Sequence, residues 1–238
     1  MAELTQFEQI NGIFIVIIVI LLWYIGLKLF LKYRSIRDKN LLMLGTVFIF
    51  QGLTWFAPAV VFLSLLLTGN LISLELYLLI GHAFNLGAFF WIYLLTELMF
   101  KNKQKIIISI LGIYLVATIL IFFYLFFTNI SLIASFSGFL RFQQGPFLVI
   151  RNLSFMIISI IFTVMFYRES HKSENLEIRL RGTLFLAALI LIILGGISHM
   201  ITGLVYVVLI FFLISSICYY SALLMPEWLK KRLIKETE

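Results

Sequence analysis

The sequence predicts an all-α integral membrane protein, a seven-transmembrane helix bundle in a single domain over residues 1–225. Hydrophobic residues make up 63% of the 238 residues and charged residues only 12%, about half of the share in ordinary soluble domains. The mean hydropathy of +1.11 is too high for a surface in contact with water. Apolar residues also gather in long runs, and a hydrocarbon core about 30 Å thick requires roughly 20 of them in a helix.

Seven runs of this length follow one another along the chain, and we number them spans 1 to 7. They lie at about residues 12–31, 41–67, 74–100, 106–127, 147–167, 183–201 and 204–225. Pro58 lies inside span 2 and predicts a kink, whereas Pro146 lies at the start of span 5, where proline is favoured. Only the short stretch GGISHMITG separates spans 6 and 7, so a merged, re-entrant segment is the alternative there.

The positive charges lie on one side of this predicted bundle. Sixteen of the 18 Lys and Arg residues are in or beside the loops that follow spans 1, 3 and 5 and in the C-terminal tail, which leaves Arg141 and Arg151 for the other side. Because cytoplasmic loops collect Lys and Arg, we expect the N-terminus outside and the C-terminus in the cytoplasm, in the cell membrane. The net charge of +7 then needs no nucleic acid as a partner.

Two segments outside the spans have a predicted role. Residues 226–238 form a basic amphipathic tail, expected on the cytoplasmic membrane surface against anionic headgroups or an acidic protein partner. Residues 128–146, TNISLIASFSGFLRFQQGP, mix apolar and polar side chains between spans 4 and 5. They predict a lid over the outer mouth of the bundle, built as a short amphipathic helix or a hairpin.

A polar stripe runs along span 3. At 100° per residue, six positions fall within a sector of about 80° on one helix. They are Glu75, His82, Asn85, Phe89, Tyr93 and Thr96. An ionisable group at membrane depth costs several kcal/mol unless it faces a partner or a wet cavity, so the stripe is predicted to face the interior of the bundle.

Arg151 is the predicted counter-ion of Glu75. The two residues lie near the outer ends of spans 5 and 3, at depths that match within about 6 Å. Further polar residues are predicted to complete a ligand-binding cup with this pair and the stripe: Asn152, Gln51, Thr54 and His199. The alternative interpretation is that these residues only form interhelical hydrogen bonds, each contributing about 1 kcal/mol or less.

No cofactor is predicted. Retinal-binding opsins are similar in span number and direction, but they need a lysine in the seventh span, and residues 204–225 contain none. Catalytic zinc takes three protein ligands, and of the three His residues His171 lies in the loop after span 5. Haem would require facing histidines, for which His82 and His199 are a weak candidate pair. No catalytic residues are predicted either, although a membrane enzyme remains open.

The end of span 7, YYSALLMPEWLKKRL, combines an aromatic pair, a proline and a basic amphipathic helix. It resembles the exit of prokaryotic seven-span sensory modules of the kind fused to histidine kinases, over about these 15 residues and the overall layout. The resemblance implies an input domain that senses something in or above the membrane and moves its last helix. Because this sequence stops at Glu238, its output would come from a separate partner.

The sequence therefore predicts a sensor or receptor-like protein of the lipid bilayer. With 25 Phe residues, the walls of its cavity are expected to be apolar and to suit a small, largely apolar ligand with one polar end. A small-solute transporter or channel is the first alternative. A lipid-modifying membrane enzyme and a structural subunit that packs against another membrane protein are the others.

Overall fold

The computed structural model of the chain describes residues 4–82, 84–138, 141–202 and 205–225, and of residues 84, 136–138, 141, 142, 199–202 and 205 it describes the backbone alone. The predicted tail, residues 226–238, lies outside the described residues. Within them the elements in chain order are α1 Gln6–Ile36, α2 Lys39–Thr68, α3 Leu74–Gly81, α4 Phe84–Met99, α5 Gln104–Thr128, a 3-10 turn Ile130–Leu132, β1 Ala134–Gly138, β2 Arg141–Gln144, α6 Pro146–His171, α7 Leu176–Thr202 and α8 Val205–Leu224.

Seven helical segments of the described chain are long and apolar enough to cross a membrane, which confirms the predicted number and an integral multi-pass membrane protein. Several helices extend beyond the apolar runs. The helix of span 6 begins at Leu176 instead of residue 183, so it includes two polar turns that precede the apolar run. There Arg181 forms an ion pair with Glu177 one turn earlier, at 2.7 Å.

Leu74–Met99 is long and apolar enough to cross a membrane, as the sequence predicts for the third span, but its helical structure is interrupted at His82. α3 ends at Gly81, His82 belongs to neither helix, and α4 begins at Phe84. The apolar run contains no proline, so hydropathy gives no sign of this break. The flanking glycines, which form helices poorly, lie close to α2: a Cβ on Gly81 would be 3.4 Å from Ala57, and one on Gly87 would be 3.3 Å from Phe50.

Six helices form a ring in the order α1, α2, α4, α6, α7 and α8, and α8 packs back against α1. α5 lies outside this ring, against α4 and the 3-10 turn. The main hydrophobic core fills the ring and contains most of the buried tryptophan, phenylalanine and tyrosine side chains, including Trp91, Phe185 and Tyr219. Each of these six helices buries one face in the common core, whereas α5 contributes to a smaller core.

A second, smaller core lies where the hairpin joins the bundle, and we call this end of the bundle the hairpin end. It consists of Leu78, Phe122, Ile133, Ala134 and Leu148, which come from α3, α5, the hairpin segment and α6. Strands β1 and β2 pair antiparallel. Of the two forms expected for segment 128–146, a helix or a hairpin, the structure has the hairpin. The segment packs onto the helices, as the complete burial of Ile133 shows.

Candidate functional site

Arg151 lies at the hairpin end, within the second turn of α6. Its side chain is only 4% exposed. The guanidinium Nη1 lies 3.3 Å from Nδ1 of His82. The guanidinium carbon lies 5.6 Å from the ring centre of Phe122 and 5.5 Å from that of Phe147. We call these four residues the Arg151 cluster.

The hydrogen bond between Arg151 and His82 defines the tautomer of the imidazole. A guanidinium only donates hydrogen bonds, so Nδ1 of His82 must accept, and the ring proton resides on Nε2. The neutral imidazole stacks on Phe122, with the ring centres 4.3 Å apart and the planes inclined by 25°. The Arg151 cluster therefore carries a full positive charge among neutral and aromatic groups.

The predicted ion pair between Glu75 and Arg151 is wrong. Glu75 is exposed in the first turn of α3, and among the described residues neither it nor any other carboxylate lies within 4.0 Å of the Arg151 guanidinium. The prediction matched depths along the spans, and depth alone does not determine which way the Glu75 side chain points. A carboxylate in the first turn is also stabilised where it is, by the positive end of the helix.

Asn85, one turn beyond His82 in the chain, is buried and has no partner. Its side chain is 2% exposed, and neither its Nδ2 nor its Oδ1 makes a hydrogen bond. Two further atoms share this state, Nε of Arg151 and Oδ1 of Asn152. Buried polar atoms without partners are rare in proteins because each costs about 1–3 kcal/mol. Arg151 contacts His82, and Asn152 contacts Gln144 of the hairpin. We therefore take these residues, with Asn85 one turn beyond His82 in the chain, as the candidate site.

The remaining residues of the predicted cup are Asn152 on α6, Thr54 and Gln51 on α2, and His199 on α7. Nδ2 of Asn152 donates to Oε1 of Gln144 at 3.4 Å, which ties α6 to β2. Thr54 donates to the carbonyl of Phe50 on its own helix at 3.3 Å. Gln51 is half-buried on the part of α2 that faces the break. The side chain of His199 lies outside the described residues.

The lower part of the predicted stripe makes contacts of its own. Phe89 is half-buried, and a Cβ added to Gly112 on α5 would be 4.0 Å from its ring. Tyr93 is half-buried as well, and its carbonyl accepts from Oγ1 of Thr96 at 2.9 Å. Thr96 is completely buried. Among the stripe residues, His82 is hydrogen-bonded to Arg151, and Asn85 follows it by one turn in the chain.

Sequence reasoning missed the aromatic walls and one polar contact of the site. Phe122 and Phe147 are two of 25 phenylalanines, and nothing in an apolar run distinguishes them. Ser154 donates to the carbonyl of Arg151 at 2.8 Å and shares a hydrogen bond with the Tyr114 hydroxyl. Tyr114 is the signal that could have been used, because a phenol in the middle of span 4 needs a partner.

Beyond the site, the side chains of Trp91, Phe185 and Tyr219 pack together with Thr163 in the main core, and we call this group the aromatic plug. Nε1 of Trp91 donates to Oγ1 of Thr163 at 3.3 Å. The ring of Trp91 lies 4.8 Å from Tyr219 and 5.3 Å from Phe185. All four side chains are buried. The polar region at the hairpin end therefore does not continue through these residues toward the opposite end.

Comparison with known proteins finds no matching family model, no matching curated protein and no matching solved structure. Within residues 4–225 as far as they are described, no three His, Cys, Asp or Glu side chains come together as a metal site. The chemistry available at the site is that of Arg151, a neutral imidazole and two carboxamides. These groups supply positive charge and hydrogen bonds, which suit recognition of a polar group.

Proposed function

We propose that the chain is a receptor-like membrane sensor that binds a small, largely apolar ligand by its polar end at the Arg151 cluster. The observation that carries this proposal is the set of buried, unpartnered polar atoms on Asn85, Arg151 and Asn152 beneath the hairpin. A bound ligand with hydrogen-bonding groups would satisfy them. The aromatic surroundings suit the apolar remainder of such a molecule.

The orientation that we propose places the hairpin end outside and the C-terminus in the cytoplasm of a cell. The charge distribution supports it, since Lys and Arg are concentrated in the loops at the end opposite to the hairpin, and such loops are cytoplasmic. The ligand would then enter from the outer side or from lipid. The signal would be read at the cytoplasmic face by a separate protein partner.

A chain of contacts connects the site with the last helix. α6 carries Arg151 and also Thr163, which accepts the hydrogen bond of Trp91. Trp91 in turn packs against Tyr219 of α8. A ligand that shifts α6 against α4 would therefore displace α8, which is the movement implied by the resemblance to sensory modules.

A spin-label experiment tests this coupling. In a Cys218→Ala background, nitroxides at Glu174→Cys in the loop between α6 and α7 and at Tyr220→Cys on α8 report the distance between the two elements. Both positions are exposed. We expect the molecule that co-purifies with the protein, identified by mass spectrometry, to change this distance by about 1–2 Å, the scale of helix shifts in switching proteins. An unchanged distance with the ligand bound would refute the sensor.

Transport of a small solute is the second candidate, and the break in the third span favours it, because interrupted helices line the binding sites of many transporters. The aromatic plug argues against it, since a solute would have to pass Trp91 and Phe185. Uptake of the identified ligand into proteoliposomes decides between the two. Uptake that is lost in Arg151→Gln would favour the transporter, and binding without uptake would favour the sensor.

A further inference from the structure

We infer that the ligand binds through an anionic oxygen group, a carboxylate or a phosphate, attached to an apolar chain. This inference rests on the proposed ligand-binding function and specifies the class of the ligand. The anion would bind to Arg151 of α6 and to Asn85 of α4.

The charge balance at Arg151 is the first argument. The guanidinium is 4% exposed, its hydrogen-bonding neighbour His82 is neutral, and no carboxylate of the described chain lies within 4.0 Å of it. A buried cation without an anion costs several kcal/mol. The rings of Phe122 and Phe147 offset only part of this, because a cation–π contact contributes about 0.5–2 kcal/mol. An anionic ligand supplies the missing counter-charge.

The hydrogen-bond donors are the second argument. Nε of Arg151 and Nδ2 of Asn85 are both buried and both without an acceptor. Two donors of this kind match the two oxygens of a carboxylate or two oxygens of a phosphate.

The surroundings of these donors explain why the anion should carry an apolar chain. Leu78, Phe122 and Leu148 of the smaller core are buried around the same end of α3, α5 and α6. A free inorganic anion would gain the charge contact alone, whereas an amphiphile would also bury hydrocarbon at about 25 cal/mol per Å². A single-chain carboxylate and an anionic phospholipid share this chemistry.

Binding assays on delipidated protein in a neutral detergent test the inference. Five probes are compared: palmitate, methyl palmitate, hexadecylamine, phosphatidylglycerol and inorganic phosphate. We expect palmitate or phosphatidylglycerol to bind at least about 30-fold more tightly than the ester, the amine and inorganic phosphate, the size expected when a buried charge pair is lost. The relative affinity of palmitate and phosphatidylglycerol identifies which of the two sources the site prefers.

Variants locate the binding. Arg151→Gln should weaken binding of the preferred probe by at least about 30-fold. Arg168→Gln, at an exposed position of the same helix, is the matched control and should have no effect. Should Arg151→Gln fail to fold, Arg151→Lys keeps the charge but loses the planar pair of donors, and a weaker affinity with unchanged preference for the acid over the ester is expected.

The outcomes separate this inference from the function on which it rests. Methyl palmitate binding as tightly as palmitate, with both weakened by Asn85→Leu, would overturn the anionic class and leave the ligand site standing. A density map at saturating palmitate with only water between Arg151 and Asn85 would overturn the inference as well. If none of the probes binds and no molecule co-purifies, the ligand-binding function itself is refuted.

Discussion

At the scale of single residues, the proposed ligand site depends on two buried polar side chains, Arg151 and Asn85. Arg151 is held by a neutral imidazole and two phenyl rings, and these contacts fix its position without neutralising its charge. Asn85 lies nearby with a carboxamide that no protein group satisfies. Both residues carry an energetic cost in the unliganded protein, and a polar ligand would relieve it. Stability and binding should therefore respond in opposite directions to substitutions here.

Substitution of Asn85 tests that opposition. Asn85→Leu replaces two unsatisfied polar atoms by apolar ones of similar volume, so the ligand-free protein should become more stable by about 1–3 kcal/mol and lose its stabilisation by ligand. The measurement is thermal unfolding in detergent with and without the co-purified molecule. Asn175→Leu is the control. The Asn175 carboxamide accepts from the Glu177 N–H at 2.8 Å, so its loss should cost about 1 kcal/mol.

Substitution of Glu75 distinguishes the sequence hypothesis from the structure. An ion pair with a buried arginine would make Glu75→Gln cost about 3–5 kcal/mol. Because Glu75 is exposed, we expect a change within about 0.5 kcal/mol and an unchanged affinity for ligand. Thermal unfolding and the palmitate titration check both values. A large loss of stability in this variant would support the predicted ion pair between Glu75 and Arg151.

The prediction for Glu75 was wrong because it depended on the direction of the side chain and not only on its depth in the membrane. Arg151 and Asn85 were predicted to point inward because polar groups in an apolar run are costly, and both are buried. Their depth follows from a rise of about 1.5 Å per residue. The direction of Glu75 could not be obtained from depth, and its side chain is exposed.

At the scale of elements, close approach between helices depends on glycine. α1 and α2 pack so tightly that a Cβ added to Gly52 would overlap the ring of Trp23. That indole donates from Nε1 to the carbonyl of Ile49 at 3.2 Å. Small residues promote helix association in membranes because lipid provides no hydrophobic drive between helices. The spans were predictable from hydropathy, whereas these pairings were not, since almost any apolar surface can pack against another.

Gly52→Ala tests the packing of α1 on α2. The methyl group must displace Trp23 and break its hydrogen bond, so we expect a loss of about 1–3 kcal/mol, which exceeds the gain in helix propensity of about 1 kcal/mol. Gly196→Ala on α7 is the matched control. Nothing lies within 4 Å of an added Cβ there, so stability should stay the same or rise. The stabilities of both variants are compared by thermal unfolding in one detergent. Equal stabilities would contradict the close packing of α1 on α2 at Gly52.

At the scale of the whole molecule, the bundle contains two hydrophobic cores, which have different roles in the proposed sensor. The smaller core joins the hairpin to the Arg151 cluster, and the larger core links α4, α6, α7 and α8 through Trp91, Phe185 and Tyr219. At the opposite end, Nη1 of Arg181 donates to the carbonyl of Leu223 near the end of α8 at 3.2 Å. A recognition end and a readout end connected by rigid aromatic contacts suit a sensor, provided that the two ends face different compartments.

The orientation in the membrane is therefore the last prediction. In a Cys218→Ala background, single cysteines replace Ser135 in the hairpin or Glu174 in the loop between α6 and α7, both exposed. Because the Lys and Arg residues lie at the end with residue 174, a membrane-impermeant thiol reagent added to intact cells should label Ser135→Cys and spare Glu174→Cys. Permeabilised cells are the control, in which both label. The reverse labelling pattern would show the opposite orientation, with the Arg151 cluster toward the cytoplasm.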